Sequence, residues 1–342
     1  TALDYVMTLD ANLLVEQLSS KAAPASLKKR LLADGSYEEL PQGTANNPNA
    51  CVFEKMIPGT EEALSPATRG RASCLLLNSY KENAHPLIDV YEGKISLDEF
   101  TAQLDDDDLI LLLGGQPNTS VANTYGYGNL PEYGVPNIMT ADGPAGLRIT
   151  PQCEVCTTAW PCATLLASTW NPALVERVGT AGAEEVKENN IAVWLTPAVN
   201  IHRNPLCGRN FEYYSEDPFL SGKMAAAVVR GVQEEGTCGA VIKHFACNNQ
   251  EDNRMGVDVH ISERALREIY LRGFEIAVKE SAPVAIMTSY NRVNGVHAAN
   301  SRALCTVIAR EEWGFDGVLM SDWSTTAPED GSIPWKCIEA GN

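Results

Sequence analysis

From about Tyr133 onward, short apolar or β-branched runs alternate with longer stretches in which apolar residues recur every three or four positions. The runs are 137–141, 164–168, 192–199, 239–245, 257–261, 284–289 and 317–320, and each is read as a strand. The stretches between them carry helix punctuation. Asn171 can cap a helix with Pro172 at its first position and Leu174, Val175, Val178 and Val186 near one face. Asp217 and Pro218 repeat that signal before a helix predicted over 219–235, stopped by Gly236. Ser262 opens a helix whose Leu266, Ile269, Tyr270, Phe274 and Ala277 are expected to face inward, and Pro283 follows its end. Ser301 opens another with Leu304, Cys305 and Ile308. Strand–helix alternation of this kind predicts a parallel sheet covered by helices.

Upstream the pattern is plainer. Ser96 and Glu99 form a capping box for a helix with Leu97, Phe100 and Leu104 on one side. Asp105–Asp108 place negative charge at the start of a second helix, stopped by Gly114 and Gly115. Four consecutive Asp could also ligate a metal; solvated helix-start charge is the preferred reading. Before residue 86, Leu13, Leu14 and Leu18 share a helical face and Ser26 can cap 27–32, but the polar stretch 42–50 reads as connecting chain or the tail of an upstream domain.

A (β/α)8 barrel and an open doubly wound sheet both satisfy the alternation. Nearly every run ends in polar, reactive side chains: Asp142 after 138–140, Lys243 and His244 after 241–242, Tyr290 and Asn291 after Met287, and Asp322 after Met320. A site gathered from many strand ends is the barrel pattern. No glycine-rich phosphate loop of the open-sheet kind occurs. The barrel is therefore expected.

The full chain is 342 residues, 44% hydrophobic and 20% charged, which excludes disorder. Its 26 Lys and Arg against 44 Asp and Glu give a net charge of −18, so nucleic acid and anionic membrane surfaces are not the expected partners. No apolar stretch approaches the ~20 residues of a membrane-spanning helix. Ten Cys lie scattered, several in apolar runs (Cys162, Cys238, Cys247, Cys305), which suggests buried thiols and a cytoplasmic location, secretion staying open because the chain begins at Thr1. Cys153-x-x-Cys156 lacks a second pair or His partners at zinc spacing, and no metal or cofactor is expected.

Asp322, at a strand end and followed by Trp323, suits carbohydrate chemistry: the carboxylate can attack or stabilise an oxocarbenium ion, and the indole can cover a sugar face. Capping the next helix is an equally good reading of that Asp. Lys243 and His244 are neighbours and would point to opposite faces of a strand, so both reach one ligand only if the strand ends or bulges there. Asp142 and Arg148 flank a Gly–Pro–Ala–Gly turn and could hold vicinal hydroxyls or simply brace the turn. Arg209, among Glu212, Tyr213, Tyr214 and Glu216, is either a ligand loop or a loop-stabilising cluster.

Taken together, DGPAGLR, GRNFEYYSEDP, KHFACNNQ, MTSYNRVNG, EEWGFDGVLMSDW and EAGN, in this order and spacing, resemble the N-terminal barrel domain of glycoside hydrolase family 3, most closely its bacterial β-glucosidases. The resemblance implies a retaining, exo-acting β-glucosidase that acts on a small β-glucoside or oligosaccharide. Asp322 would be the nucleophile. Asp142 and Arg148 would hold the 4- and 6-hydroxyls, Arg209, Lys243 and His244 the other edge of the sugar. Met287 would line the site, Tyr290 would sit beside the nucleophile, and Trp323 would wall the leaving-group entrance. The ACNNQ string after KHF argues against the N-acetylglucosamine-removing subgroup. β-Xylosidase and α-arabinofuranosidase of the same family, and a non-catalytic sugar-binding domain, are the alternatives. Residues 1–95 are then a linker or the end of an upstream fibronectin-like or sandwich domain, as in permuted members. Residues 96–342 form the barrel, expected to end before its last strand. That strand and the acid/base Glu would come from a further domain or chain; a homo-oligomer stays open.

Overall fold

The structure, a computed structural model, describes residues 29–31, 36–39, 83–150, 153–326 and 331–342. The chain divides into two units, 1–54 and 55–342. In the first, β1 (Lys29–Leu31) pairs antiparallel with β2 (Tyr37–Glu39). The helix expected around Leu13–Leu18 lies outside the described residues, as does most of the stretch expected as a linker. The cap expected from Ser26 also falls there, and the 27–32 helix meets strand at 29–31.

The second unit opens with α1 (Leu87–Tyr91), α2 (Leu97–Ala102) and α3 (Asp106–Leu113). Ser96 Oγ accepts from the Glu99 N–H while Glu99 accepts from the Ser96 N–H, the reciprocal box its sequence predicts. Asp105 and Asp108 make the same box for α3, so the acidic run serves a helix start. Phe100 packs with Leu130 and Tyr133, whereas Leu97 is exposed.

Strand β3 (Gly126–Leu130) turns back through Pro131–Tyr133 into β4 (Val135–Ala141), its antiparallel partner. The sequence hides β3 because two of its five residues are glycine. Gly128 is required there: its φ is +88° and a Cβ would stand 2.6 Å from the Pro136 carbonyl oxygen. Next come α4 (Ala163–Ala167), α5 (Pro172–Glu188), β5 (Val193–Trp194), α6 (Pro218–Gln233) and β6 (Gly239–Phe245). The strand expected at 164–168 is thus α4. A five-residue apolar run does not separate strand from buried helix by period, and Ala and Leu favour helix. Asn171 and Asp217 cap α5 and α6 as expected.

After β6 comes β7 (Asp258–Val259), then α7, which comprises Glu263–Ala265, a π-helical turn at Leu266–Tyr270 and Arg272–Ser281. That wide turn shifts the helical phase, so Leu266, Phe274 and Ala277 are buried while Ile269 is exposed, against expectation. The chain continues through β8 (Ala285–Thr288), β9 (Arg292–Val293), β10 (Val296–His297), the π-wound helix α8 (Ala303–Glu312), β11 (Val318–Ser321) and α9 (Pro334–Ala340).

Six strands make the main sheet in the order β11-β8-β6-β5-β4-β3, parallel throughout except for β3. Strand β7, counted as a barrel strand in the sequence, instead joins β9 and β10 in a separate three-stranded sheet. It belongs to an excursion between β6 and α7. The sheet has two different faces. Val193, Leu195, Val241, Ala285 and Met287 form a small inner cluster with Ile138 and Met320 beside it. Trp194, Ala240, Ile242, Ile286 and Leu319 belong to a much larger core shared with the helices. A helix-covered outer face and a small side-chain-filled inner face describe a TIM-barrel-like α/β sheet. Among the described residues it spans part of a barrel, with β3 and β11 at its edges. No helix among them is long and apolar enough to cross a membrane.

Candidate active site

Because side chains alternate along a strand, the inner row extends in steps of two. From Ile138 it runs through Thr140 to Asp142, from Val193 to Leu195, from Val241 to Lys243, from Ala285 to Met287, and from Met320 to Asp322. Each row is apolar at its start and polar or bulky where the parallel strands end. There the rows open into a cavity of about 430 Å3. All nine residues singled out in the sequence line it: Asp142, Arg148, Arg209, Lys243, His244, Met287, Tyr290, Asp322 and Trp323.

His244 is out of phase with this rule, and β6 accommodates it with an irregular register. Lys243 pairs with Met287, but Phe245, two residues on, pairs with Thr288, one residue on. The extra residue is a bulge, the condition under which both Lys243 and His244 can face one ligand.

In one corner, Asp142 is enclosed by cations. Lys243 Nζ donates to Oδ1 at 2.5 Å and Arg148 Nη1 to Oδ2 at 2.7 Å. The turn between them depends on Gly143, whose φ is +121° and whose Cβ would stand 1.8 Å from the Gly146 carbonyl oxygen. This brings the Arg148 N–H to the Asp142 carbonyl at 2.9 Å. Burial alone would raise the Asp142 pKa, but the charge and hydrogen bond of Lys243, with Arg148 and the Gly143 N–H, hold it below its ordinary 3.8.

Along one wall, Arg209 binds the Glu212 carboxylate through Nε and donates from Nη2 to His244 Nε2 at 3.0 Å. A guanidinium has no acceptor to offer, so this contact assigns the His244 proton to Nδ1, which faces the Tyr213 hydroxyl at 3.5 Å. Burial, then Arg209, Lys243 and Arg254, keep the His244 pKa well below 6.5, and the ring is neutral.

Asp322 occupies the other corner. Its backbone N–H continues the sheet to the Thr288 carbonyl, and its Oδ1 accepts the Trp323 N–H at 2.7 Å. Its Oδ2 lies 3.9 Å from His244 Nε2, a neutral neighbour. Lys243 and Arg209, if near it as the resemblance implies, are expected to lower its pKa. Instead burial outweighs the Trp323 N–H and the surrounding cations, and the pKa is raised above 3.8. Tyr290 donates to the Trp323 carbonyl at 2.7 Å, with the Arg254 guanidinium over its ring at 4.6 Å. Burial and the nearby Asp322 charge raise the Tyr290 pKa.

Four lining residues were not nominated from the sequence: Leu195, Phe211, Glu212 and Arg254. Leu195 was recoverable by counting two residues on from Val193, and Glu212 from its place in the Arg209 string. Arg254 follows no apolar run, and nothing local marks it. None of the described cysteines lines the cavity: Cys153 and Cys156 are both free, and burial pushes Cys247 and Cys305 up to about 12. Among the described residues no group of three or more His, Cys, Asp or Glu could hold a metal ion.

Residues 128–331 match the model of the glycosyl hydrolase family 3 N-terminal domain. The chain is 54% identical over 327 residues to β-glucosidase A of Butyrivibrio fibrisolvens, covering 94% of this chain and 39% of that protein. It is 41% identical over 345 residues to a β-glucosidase of Ruminococcus albus, covering 97% of this chain and 34% of the relative. Among solved structures, β-glucosidase 3B from Thermotoga neapolitana in complex with glucose is similar with a TM-score of 0.67 and 50% identity. That match covers 72% of this chain and 35% of the other. The chain therefore spans a third to two fifths of the length of these two curated relatives.

Proposed function

The chain belongs to glycoside hydrolase family 3, and from that premise we propose that it carries the glucose site and the nucleophile of a retaining, exo-acting β-glucosidase. The observation that carries the reading is Asp322, a carboxylate with no Lys or Arg salt bridge among the described residues, lining the same cavity as the hydroxyl-binding groups Asp142, Arg148, Arg209, Lys243 and His244. Asp142 accepts and Arg148 donates to adjacent hydroxyls of a terminal glucosyl residue, as a carboxylate–guanidinium pair can. Lys243, Arg209 and neutral His244 hold the opposite edge. Asp322 attacks the anomeric carbon as the bond to the leaving oxygen breaks, giving a covalent glycosyl-enzyme. Water then displaces the carboxylate from the opposite face, so the β configuration returns.

The leaving oxygen needs a proton. Asp142 is engaged by Lys243 and Arg148, and Glu212 by Arg209, so neither suits a free acid. The acid/base carboxylate, and the strands needed to close the barrel beyond the six of the main sheet, are assigned to a further segment or domain of the intact protein. Tyr290 fixes the backbone beside the nucleophile through the Trp323 carbonyl, and Trp323 walls the exit for the leaving group.

The test uses the intact protein containing this chain and a 2-deoxy-2-fluoro-β-glucoside with a good leaving group. The expected result is one equivalent of label on Asp322. Label on another carboxylate overturns the assignment. Glucose binding with no turnover favours a non-catalytic sugar-binding domain, and faster turnover of a xyloside or arabinoside than of a glucoside moves the substrate class.

A further inference from the structure

The corner of the cavity that holds Asp142 is also held from behind, by the core. Val193 and Leu195 of β5 belong to the inner cluster, so Trp194 between them points outward and is buried in the large core shared with the helices. Strand β5 lies parallel to β4, with Trp194 beside Ala141. Counted in twos along the outer row of β4, Met139 and Ala141 lead to Gly143, the residue that opens the turn after Asp142. The Trp194 indole N–H donates to the Gly143 carbonyl at 3.0 Å. Room for the ring is made by Gly182 of α5, where a Cβ would stand 2.3 Å from indole Cζ3 and 2.6 Å from Cη2.

That bond falls on the most adjustable point of the turn. Gly143 has a φ of +121°, and glycine has the widest backbone freedom of any residue. Its N–H supports the Asp142 carboxylate, and its carbonyl closes the turn by accepting the Gly146 N–H at 3.0 Å. A carbonyl oxygen has two lone pairs, and the indole takes the second from the core side. The Asp142 carboxylate and the Arg148 guanidinium both extend from this turn and meet at 2.7 Å. The direction of one peptide group therefore sets where the pair stands relative to a bound sugar.

We propose that Trp194 is a positioning residue for the Asp142–Arg148 pair: by fixing the Gly143 carbonyl from the core, it sets how well the site discriminates the sugar hydroxyls at that corner. The inference rests on the β-glucosidase reading and deepens it. Trp194 does not line the cavity, so it acts through the turn and not on the sugar. Two substitutions reach the same bond by different routes. Phenylalanine at 194 keeps a buried aromatic ring and removes the donor. Alanine at 182 keeps the donor and displaces the ring that carries it.

The experiment measures kcat/KM of the intact protein as wild type, Trp194→Phe and Gly182→Ala. The donors are 4-nitrophenyl β-glucoside and its 4-deoxy, 6-deoxy and 2-deoxy analogues. The readout is the glucoside value divided by that of each analogue, a ratio within one sample that does not depend on the fraction of folded enzyme. Trp194→Phe is expected to lower the 4-deoxy and 6-deoxy ratios about fivefold, the scale of one hydrogen bond. The 2-deoxy ratio, which reports the opposite edge of the sugar, should stay within about twofold. A fall in only one of the first two supports the proposal and assigns the effect to that hydroxyl. Gly182→Ala is expected to move the same ratios in the same direction, and it decides the matter alone if Trp194→Phe does not fold. Unchanged ratios, or an equal fall in all three, overturn the proposal. Wild-type ratios near one for both the 4-deoxy and 6-deoxy donors overturn the assignment of those hydroxyls to this corner, and this inference with it. Wild-type protein that turns over no glucoside overturns the glucosidase reading itself.

Discussion

Asp142 and Asp322 end rows of the same inner face, on β4 and β11 with β5, β6 and β8 between them, yet their surroundings are opposite. Asp142 is gripped by Lys243 and Arg148 and its pKa is lowered; Asp322 has one backbone N–H, a neutral imidazole at 3.9 Å and a raised pKa. A carboxylate saturated with hydrogen bonds is a poor nucleophile and a good fixed acceptor. One left short of partners is costly to keep charged and has electron density to give. The fold separates holding from attacking without changing the residue type, by where it places cations around two Asp side chains.

The sharpest way to break the comparison is to remove each carboxylate in turn. Asp322→Ala in the intact enzyme should lower kcat by roughly 10^4-fold or more, with the KM for glucosides changed far less. Asp322→Asn should leave stability unchanged or slightly raised at neutral pH, because it removes a charge that burial disfavours. Asp142→Asn should do the reverse. It strands the nearly buried Lys243 without its partner, at a cost of about 3 kcal/mol by analogy with broken buried pairs. It should also lower kcat/KM by roughly 10^2-fold through weakened sugar binding. Urea denaturation midpoints and steady-state kinetics of the two Asn variants measure both effects, and stability changes of the same sign would refute the contrast.

A smaller effect should appear in stability against pH. His244 is held well below 6.5, so the unfolded chain takes up a proton there that the folded chain refuses. Its contribution is present above about pH 6.5 and is lost as pH falls. The Asp142 carboxyl is held below 3.8, so its contribution is present above that value and is lost only as pH falls through the lowered one. Thermal unfolding of wild type should therefore weaken in two stages on acidification. His244→Gln should abolish the upper stage and Asp142→Asn should shrink the lower, to which Asp89, Glu99, Glu275 and Glu312 also contribute.

The contrast between the two corners was only partly legible in the sequence. The polar residue after each apolar run pointed to Asp142, Lys243 and Asp322, because a strand buried on both faces tolerates such groups only where it ends. Helix starts were legible for the same local reason: Ser96, Asp105, Asn171 and Asp217 each accept a hydrogen bond within their own first turn. What failed was non-local. The antiparallel strand 126–130 is specified by its partner more than by its glycine-rich sequence, and the 164–168 run has no period long enough to distinguish helix from strand. Residues 257–261 have strand character but pair outside the main sheet. The direction of the Asp322 shift differs from the expectation because the resemblance places Lys243 and Arg209 near the carboxyl but does not give its depth of burial.

Arg254, the lining residue without a local signal, gives the mildest test of the asymmetry. Its guanidinium lies over the Tyr290 ring, and its Nη1 is 2.8 Å from the Glu251 carboxylate. The charged and titratable groups facing Asp322 are Lys243, Arg209 and Arg254, with neutral His244 and Tyr290 beside them. Lys243 is committed to Asp142 and Arg209 to Glu212, and Arg254 is tied to Glu251 at the more exposed rim. Arg254→Gln removes positive charge that favours ionised Asp322, so the carboxyl pKa, already raised by burial, should rise further. The acid limb of kcat/KM should then move to higher pH by less than about one unit, measured between about pH 4 and pH 8. At the plateau the loss should be severalfold at most, because the nucleophile and the groups holding the sugar remain. Arg254→Lys should restore the limb in part, returning the charge without the planar stacking on Tyr290. A limb that moves to lower pH, or stays fixed while the plateau collapses, would mean that Arg254 contacts the sugar directly and that Asp322 owes its ionisation to the other cations.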